Sequence, residues 1–306
     1  MKLSHILESQ QFTPDMLEEL FTLTDSLKLN IPSELLNGKI MCTLFYEPST
    51  RTRFSFESAM NRLGGRVIST EAAGMFSSAV KGESLIDTIR IVDDYADVIV
   101  LRTGDDNGAH LAAEVSKVPI INAGEGKYGQ HPTQALLDLY TIKKEFGRID
   151  NLHVVIVGDL KNGRTARSLA YLLSKCKGVR ISFVSPENLK VEQDMKDYLA
   201  RHGVLFEESE NLYNLLPIAD VVYMTRIQKE RMSADEYNKA NGKFRITEKE
   251  LGIMKEKSRL LHPLPNAGEV ALPLEVEERD PRVAYFRQAR NGLYLRMALL
   301  KMLLAN

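Results

Sequence analysis

Apolar positions along the chain recur at two alternating spacings. Short apolar runs at residues 39–46 (KIMCTLFY), 66–69, 97–101 (DVIVL) and 118–122 read as buried strands. Between them, apolar residues fall at helical spacing. A helix is predicted over 12–29, with Thr13-Pro14-Asp15 as its cap and first turn. A second opens at Ser49, runs through Phe54, Phe56, Ala59, Met60 and Leu63, and stops at Gly64-Gly65. Helices are also predicted over 83–95 and 108–116. The first 130 residues or so therefore alternate strand and helix, the pattern of a parallel sheet covered by helices.

A long helix starting at Pro132 is predicted to run to Phe146, and residues 147–151 (GRIDN) read as a domain boundary. A second α/β series begins at 152–157 (LHVVIV) and continues with strands at 180–184 and 221–224 and a short one ending at Leu260-Leu261. A final apolar helix, 292–304, is long enough to pack back across another domain. The expected fold class is α/β: two doubly wound domains, each a parallel sheet flanked by helices, linked by two bridging helices. The expected domains are 1–146, with 290–306 packing back on it, and 147–289.

Composition narrows the function classes. A chain of 306 residues is too long for one small core and suits two ordinary domains. With 44% hydrophobic and 26% charged residues the balance is globular. The formal net charge of −1 supplies no global field for nucleic acid or an acidic membrane, so neither is expected as a partner and any anion site must be local. Cys42 and Cys176 have no CxxC spacing and no nearby histidine cluster, so neither a disulfide framework nor a metal site is expected. The start, MKLSHILESQ, lacks the apolar run of a signal peptide, and no stretch approaches the ~18 apolar residues of a membrane span, so a cytosolic location is expected.

Five segments carry candidate chemistry. In Pro48-Ser49-Thr50-Arg51-Thr52-Arg53, between a strand and a helix, hydroxyls and guanidiniums surround the unpaired amides of a helix start, which would make a phosphate cradle. A capped helix with solvated arginines gives the same letters. In His131-Pro132-Thr133-Gln134, the proline fixes a helix start with the histidine at its mouth, where it could donate to a carbonyl oxygen gaining charge or simply cap the helix. Gly158-Asp159-Leu160 followed by Asn162-Gly163-Arg164-Thr165 turns a strand into a helix, but the spacing is not GxGxxG. An arginine there could hold a carboxylate instead. In Thr225-Arg226-Ile227-Gln228, extended backbone would turn Arg226 and Gln228 to one side, though a solvated basic loop also fits. His262-Pro263-Leu264-Pro265-Asn266 makes a rigid turn that could offer backbone carbonyls to a ligand, and a cis bond before Pro265 would be unsurprising.

Taken together and in order, FYEPSTRTRFSFE, SSAVKGESL, VLRT, NAGEG, GQHPTQALLDLYT, LHVVIVGDLKNGRTARSL, YMTRIQKER and HPLPN resemble the aspartate carbamoyltransferase catalytic chains over nearly the full length. The resemblance implies transfer of the carbamoyl group of carbamoyl phosphate to the amine of aspartate, with no cofactor. It makes 1–146 the carbamoyl-phosphate-binding domain and 147–289 the aspartate-binding domain. It implies that Ser49, Thr50, Arg51 and Thr52 bind the phosphate, with Arg51 the main charge partner, and that Arg102 also reaches carbamoyl phosphate. It gives Thr52, Arg102 and His131 the carbonyl oxygen, and Gln134 with the carbonyls of Leu264 and Pro265 the carbamoyl NH2. Arg164, Arg226 and Gln228 fall to aspartate. Ser77 and Lys81 enter a neighbouring subunit's site, Lys81 serving both catalysis and aspartate, which implies a homotrimer with shared sites.

One position departs from the pattern: many relatives carry arginine after HPLP, and Asn266 stands here, which puts loop and closure geometry in doubt and suggests a more flexible turn at 266–269. An ornithine enzyme would carry HCLP and an Asp-x-x-Ser-Met-Gly motif, both missing from this sequence, and Arg164 and Arg226 would repel the ornithine ammonium. A binding protein that kept the fold and lost catalysis would be expected to lose His131 or a ligand arginine, and all are present. The resembled family includes bare trimers and assemblies with separate regulatory chains, so a regulatory partner and an allosteric response stay open.

Overall fold

The computed structural model describes residues 3–76, 78–126 and 129–305. The chain divides into two compact units, Met1–Leu136 with Arg290–Asn306, and Leu137–Ala289. The first contains β1 (Ile40–Phe45), β2 (Arg66–Thr70), β3 (Val98–Thr103) and β4 (Ile120–Glu125), hydrogen-bonded in the order β2-β1-β3-β4. The second contains β5 (His153–Val157), β6 (Arg180–Val184), β7 (Leu205–Ser209), β8 (Val221–Met224) and β9 (Arg259–Leu261), in the order β7-β6-β5-β8-β9. Every pairing is parallel. The central strands β1, β3, β5 and β8 are almost wholly buried, which is why their sequences are continuous apolar runs rather than alternating ones.

Both strand orders reverse direction once, between β1 and β3 in the first sheet and between β5 and β8 in the second. The loops leaving the carboxyl ends of such a strand pair diverge and open a crevice, the usual place for a ligand in a doubly wound sheet. The segments singled out above leave these strands: residues 46–53 follow β1, Arg102 lies in β3, residues 158–164 follow β5 and residues 225–231 follow β8.

Local sequence explains the elements around the first crevice. The Thr50–Arg62 helix buries Thr52, Phe56, Ala59 and Met60, a stripe at i, i+4, i+7 and i+8. Gly64 ends it at φ +88°, where a Cβ would fall 2.2 Å from the Ser33 carbonyl oxygen, so only glycine fits the turn. In the Pro14–Leu29 helix, Thr13 accepts the Met16 N–H as N-cap.

The units part between Leu136 and Leu137, inside the continuous Pro132–Phe146 helix, and again within the Tyr285–Leu304 helix. Asp138 explains why the first unit ends so early, since it bonds to Tyr223 of β8. The last helix also starts at 285 rather than 292, because its first two turns bury Tyr285 and Gln288 while leaving Phe286 more than half exposed, a pattern with little apolar signal.

Candidate functional site

In the first unit the helix at the end of β1 begins without a side-chain cap. Ser49 is its N-cap residue, yet its hydroxyl makes no capping bond, and Thr50 and Arg51 are exposed. The first-turn amides thus keep their outward donors. Arg53, which its position in the sequence groups with the anion donors, is turned away: its guanidinium pairs with Glu71 at 2.7 Å and Glu57 at 3.4 Å. Glu71 also accepts the Ser49 N–H at 3.1 Å, so a carboxylate that carries no sequence signal holds the loop in place.

Thr52 and His131 lie 79 positions apart in the chain and meet here. Thr52 Oγ1 and His131 Nε2 are 3.4 Å apart, both residues 6% exposed. Pro132 starts the helix, the His131 carbonyl accepts the Gln134 and Ala135 N–H groups, and the ring is fixed at the mouth with Thr133 Oγ1 at 3.5 Å from Nδ1. Gln134 is half-buried one turn in. Arg102 is in register with Phe45 at the end of β1; its Nη1 donates to the Ala123 carbonyl at 3.0 Å and Nη2 approaches Glu47 at 3.4 Å. Lys81 is exposed at the end of the Ser78–Lys81 3-10 turn, and Ser77 lies outside the described residues.

In the second unit the loops after β5 and β8 are tied together. Gly158 sits at φ +123°, and a Cβ there would fall 2.3 Å from the Thr225 carbonyl oxygen, so glycine is what allows the two strand ends to close up. Asp159 is fully buried and accepts from the backbone and side chain of Asn162 and from the Gln228 N–H. Burial pushes its carboxyl above the usual range, an effect that these donors and the nearby Arg231 oppose. Arg231 donates across to the Asn162 carbonyl at 3.1 Å.

The knot presents three predicted residues from two loops. Arg164 opens the Arg164–Leu173 helix; Arg226 and Gln228 are half-buried while Ile227 between them is buried, the alternation of extended backbone. Glu230 takes a two-pronged ion pair with Arg226, one arm at 3.0 Å. Beside the knot lies a cavity of about 240 Å³, lined in part by Gly158, Thr225, Ile227, Phe244, Arg245 and Glu269. Nothing in the sequence marks Arg245 or Glu269.

The remaining turn is also rigid. The Leu264-Pro265 bond is cis, and Leu264 holds φ +59°, a left-handed conformation that costs a branched residue about 1–2 kcal/mol. The Leu264 N–H is held by His262 Nδ1 at 2.8 Å. Asn266 does not loosen the turn: its Oδ1 accepts the N–H groups of Gly268 and Val270, and its Nδ2 donates to the Val270 carbonyl. Glu269 accepts the Ala267 N–H at 2.8 Å. Burial tends to raise the Glu269 carboxyl, but His262 and the backbone donors outweigh it and hold the group below its ordinary value.

Residues 4–144 match the family described as aspartate/ornithine carbamoyltransferase, carbamoyl-P binding domain, and residues 150–303 match the same family's Asp/Orn binding domain. The chain is 52% identical over 309 residues to the chloroplastic aspartate carbamoyltransferase of Arabidopsis thaliana, covering 99% of this chain and 78% of the relative. Among solved structures, the catalytic subunit of Methanocaldococcus jannaschii aspartate transcarbamoylase superposes with a TM-score of 0.87 at 45% identity, covering 98% of each chain. The Trypanosoma cruzi aspartate transcarbamoylase in complex with carbamoyl phosphate and aspartate superposes with a TM-score of 0.92 at 39% identity, covering 99% of this chain and 98% of that one.

Proposed function

The chain belongs to the aspartate/ornithine carbamoyltransferase family, and from this we infer that it is an aspartate carbamoyltransferase, making N-carbamoyl-L-aspartate and phosphate in pyrimidine synthesis. The observation that carries the choice of acceptor is the basic knot in the second unit. There Arg164, opening the helix after β5, and Arg226, on the loop that Asp159 ties through the Gln228 N–H, suit a dicarboxylate and would repel the ammonium of an ornithine side chain. The aspartate amine attacks the carbamoyl carbon, and the carbonyl oxygen gains negative charge. Thr52, His131 and Arg102 are the donors we assign to that oxyanion, pre-placed so that no reorganisation is needed as charge develops. The carbon–oxygen bond to phosphate then breaks. The leaving phosphate keeps the bonding electron pair and can take the amine proton, while Arg51 and the first-turn amides of the Thr50–Arg62 helix stabilise it. Gln134 and the carbonyls of Leu264 and Pro265 are assigned to the carbamoyl NH2, and Gln228 joins the arginines on aspartate.

A colorimetric assay for carbamoyl amino acids tests this reading. Product is expected with carbamoyl phosphate and aspartate and at most a trace with ornithine. Product from ornithine alone, or from neither acceptor, overturns it.

We further propose a homotrimer in which Lys81, and with it Ser77, serves a neighbouring copy's site. What supports it is the edge strand β2, with Ile68 and the nearby Phe54 exposed. An open apolar edge of this kind is a liability unless another chain covers it. Light scattering should give three times the mass of the chain, and mixing inactive Lys81→Ala with inactive Arg51→Ala subunits should restore part of the activity. A monomer, or mixtures that stay inactive after subunit exchange, would rule the arrangement out.

A further inference from the structure

A chain of buried polar groups in the second unit has no place in the chemistry above. Asp138 is fully buried and its two oxygens are separately used: Oδ2 accepts the Tyr223 hydroxyl at 2.7 Å, and Oδ1 accepts Gln288 Nε2 at 2.6 Å. Gln288, 1% exposed, presents its other end, Oε1, to the His262 N–H at 2.9 Å. His262, 2% exposed, accepts the Leu264 N–H through Nδ1 at 2.8 Å. Each link has one polarity. A carboxylate only accepts and a backbone N–H only donates, so the Gln288 amide can sit only one way round between Asp138 and His262. In turn, His262 must keep Nδ1 unprotonated to receive Leu264. The series runs from the Pro132–Phe146 helix, through the Tyr285–Leu304 helix, to the turn after β9.

We propose that Asp138, Gln288 and His262 form a one-way hydrogen-bond relay that sets the orientation of the Leu264 and Pro265 carbonyls, and are thereby positioning residues for the carbamoyl NH2. The proposal rests on the assignment of those carbonyls made above. The series is anchored at a buried carboxylate: Asp138 orients the Gln288 amide, Gln288 holds the backbone of His262, and the His262 ring holds the Leu264 N–H, so a displacement at Asp138 is carried to Leu264. Buried networks of this kind are costly when half satisfied, so a polarity error is expressed as displaced geometry rather than absorbed.

The test inverts and then restores the polarity. In Asp138→Asn one accepting oxygen becomes a donor: the amide either faces Gln288 Nε2 donor to donor, or turns its NH2 to Tyr223, whose hydroxyl must then reverse from donor to acceptor. In Gln288→Glu two carboxylates face each other. The double variant Asp138→Asn/Gln288→Glu exchanges amide and carboxylate. The amide now at position 138 can accept from Tyr223 and donate to the carboxylate now at position 288, whose other oxygen again takes the His262 N–H. Each single variant is expected to raise the KM for carbamoyl phosphate about tenfold, the double variant to return within about threefold of wild type, and inhibition by inorganic phosphate to stay unchanged in all three. Phosphate probes the other end of the substrate, so a merely structural role would weaken both. Single variants with an unaltered KM, loss of phosphate and carbamoyl phosphate affinity together, or a double variant no better than the singles would each overturn the relay. If the singles fail to fold, the double variant decides: tenfold impairment in it has the same consequence. Wild-type protein that makes no carbamoyl aspartate would instead refute the functional assignment, and the relay's role in holding the substrate would fall with it.

Discussion

Arg51→Ala is expected to lower kcat/KM for carbamoyl phosphate by about 10³-fold, a loss of about 4 kcal/mol in transition-state stabilisation. The magnitude follows from what is removed. A guanidinium facing a phosphate makes two parallel charge-assisted bonds of about 1.5–3 kcal/mol each. Those bonds strengthen as the carbon–oxygen bond breaks and charge collects on the leaving group. The helix amides remain, because Ser49 and Glu71 still hold the loop, so the variant should fold with an unchanged melting temperature. Arg51→Lys keeps the charge and loses the fork, and should fall between the two. Steady-state kinetics with inorganic phosphate as inhibitor check the assignment: phosphate affinity should fall with kcat/KM. An alanine variant within threefold of wild type would return the segment to an ordinary helix start with a solvated arginine.

The same segment shows how far sequence carries. Its place between a buried strand and a helix is legible because KIMCTLFY is apolar throughout and the helix repeats at 3.6 residues; β1 and the Thr50–Arg62 helix fall within one residue of those expectations. The sense of Arg53 is only half legible. Its pairing with Glu57 is an i,i+4 contact on one helix, but Glu71 follows β2 and is brought there by strand pairing, which no local pattern encodes. β7 leaves no trace for a related reason: LFEES is an edge strand with Leu205 73% exposed, so burial puts no imprint on it. The short helices Ala234–Ala240, Glu248–Ile253 and Leu274–Arg279 bury too few residues to show a period.

Polar residues inside apolar helices are the least visible of all. Asp138 and Gln288 are single letters in helices otherwise read by their hydrophobic stripe, and their meaning appears only once β8 and the turn after β9 are brought beside them. The extent of the second compact unit is hidden for the same cause. The loop at 147–151 is the strongest local break, but Asp138 and Glu145 are already bonded within the second unit, to Tyr223 and to Arg259 and Arg287. The unit therefore begins before the helix ends.

Arg226→Ala is expected to raise the KM for aspartate about 10²-fold while moving the KM for carbamoyl phosphate less than threefold. The asymmetry follows from the fold: Arg226 leaves β8 in the second unit, on a loop knotted to the β5 loop through Asp159, and the Thr50–Arg62 helix, to which phosphate binding is assigned, belongs to the first. Glu230 already pairs with Arg226, which raises the question of whether the guanidinium is spent. It is not, because a guanidinium carries five N–H donors in a rigid fork and a two-pronged carboxylate takes two of them. Glu230 is more than half exposed, so its hold on Arg226 is screened and costs a bound ligand little to share. Loss of one charge-assisted pair to a carboxylate is worth about 2.7 kcal/mol, which is the factor of about 10². A comparable rise in both KM values would mean that Arg226 supports the second unit as a whole rather than the acceptor. An unchanged aspartate KM would leave the basic knot without its substrate, because Arg164 alone cannot distinguish a dicarboxylate from any other α-amino acid.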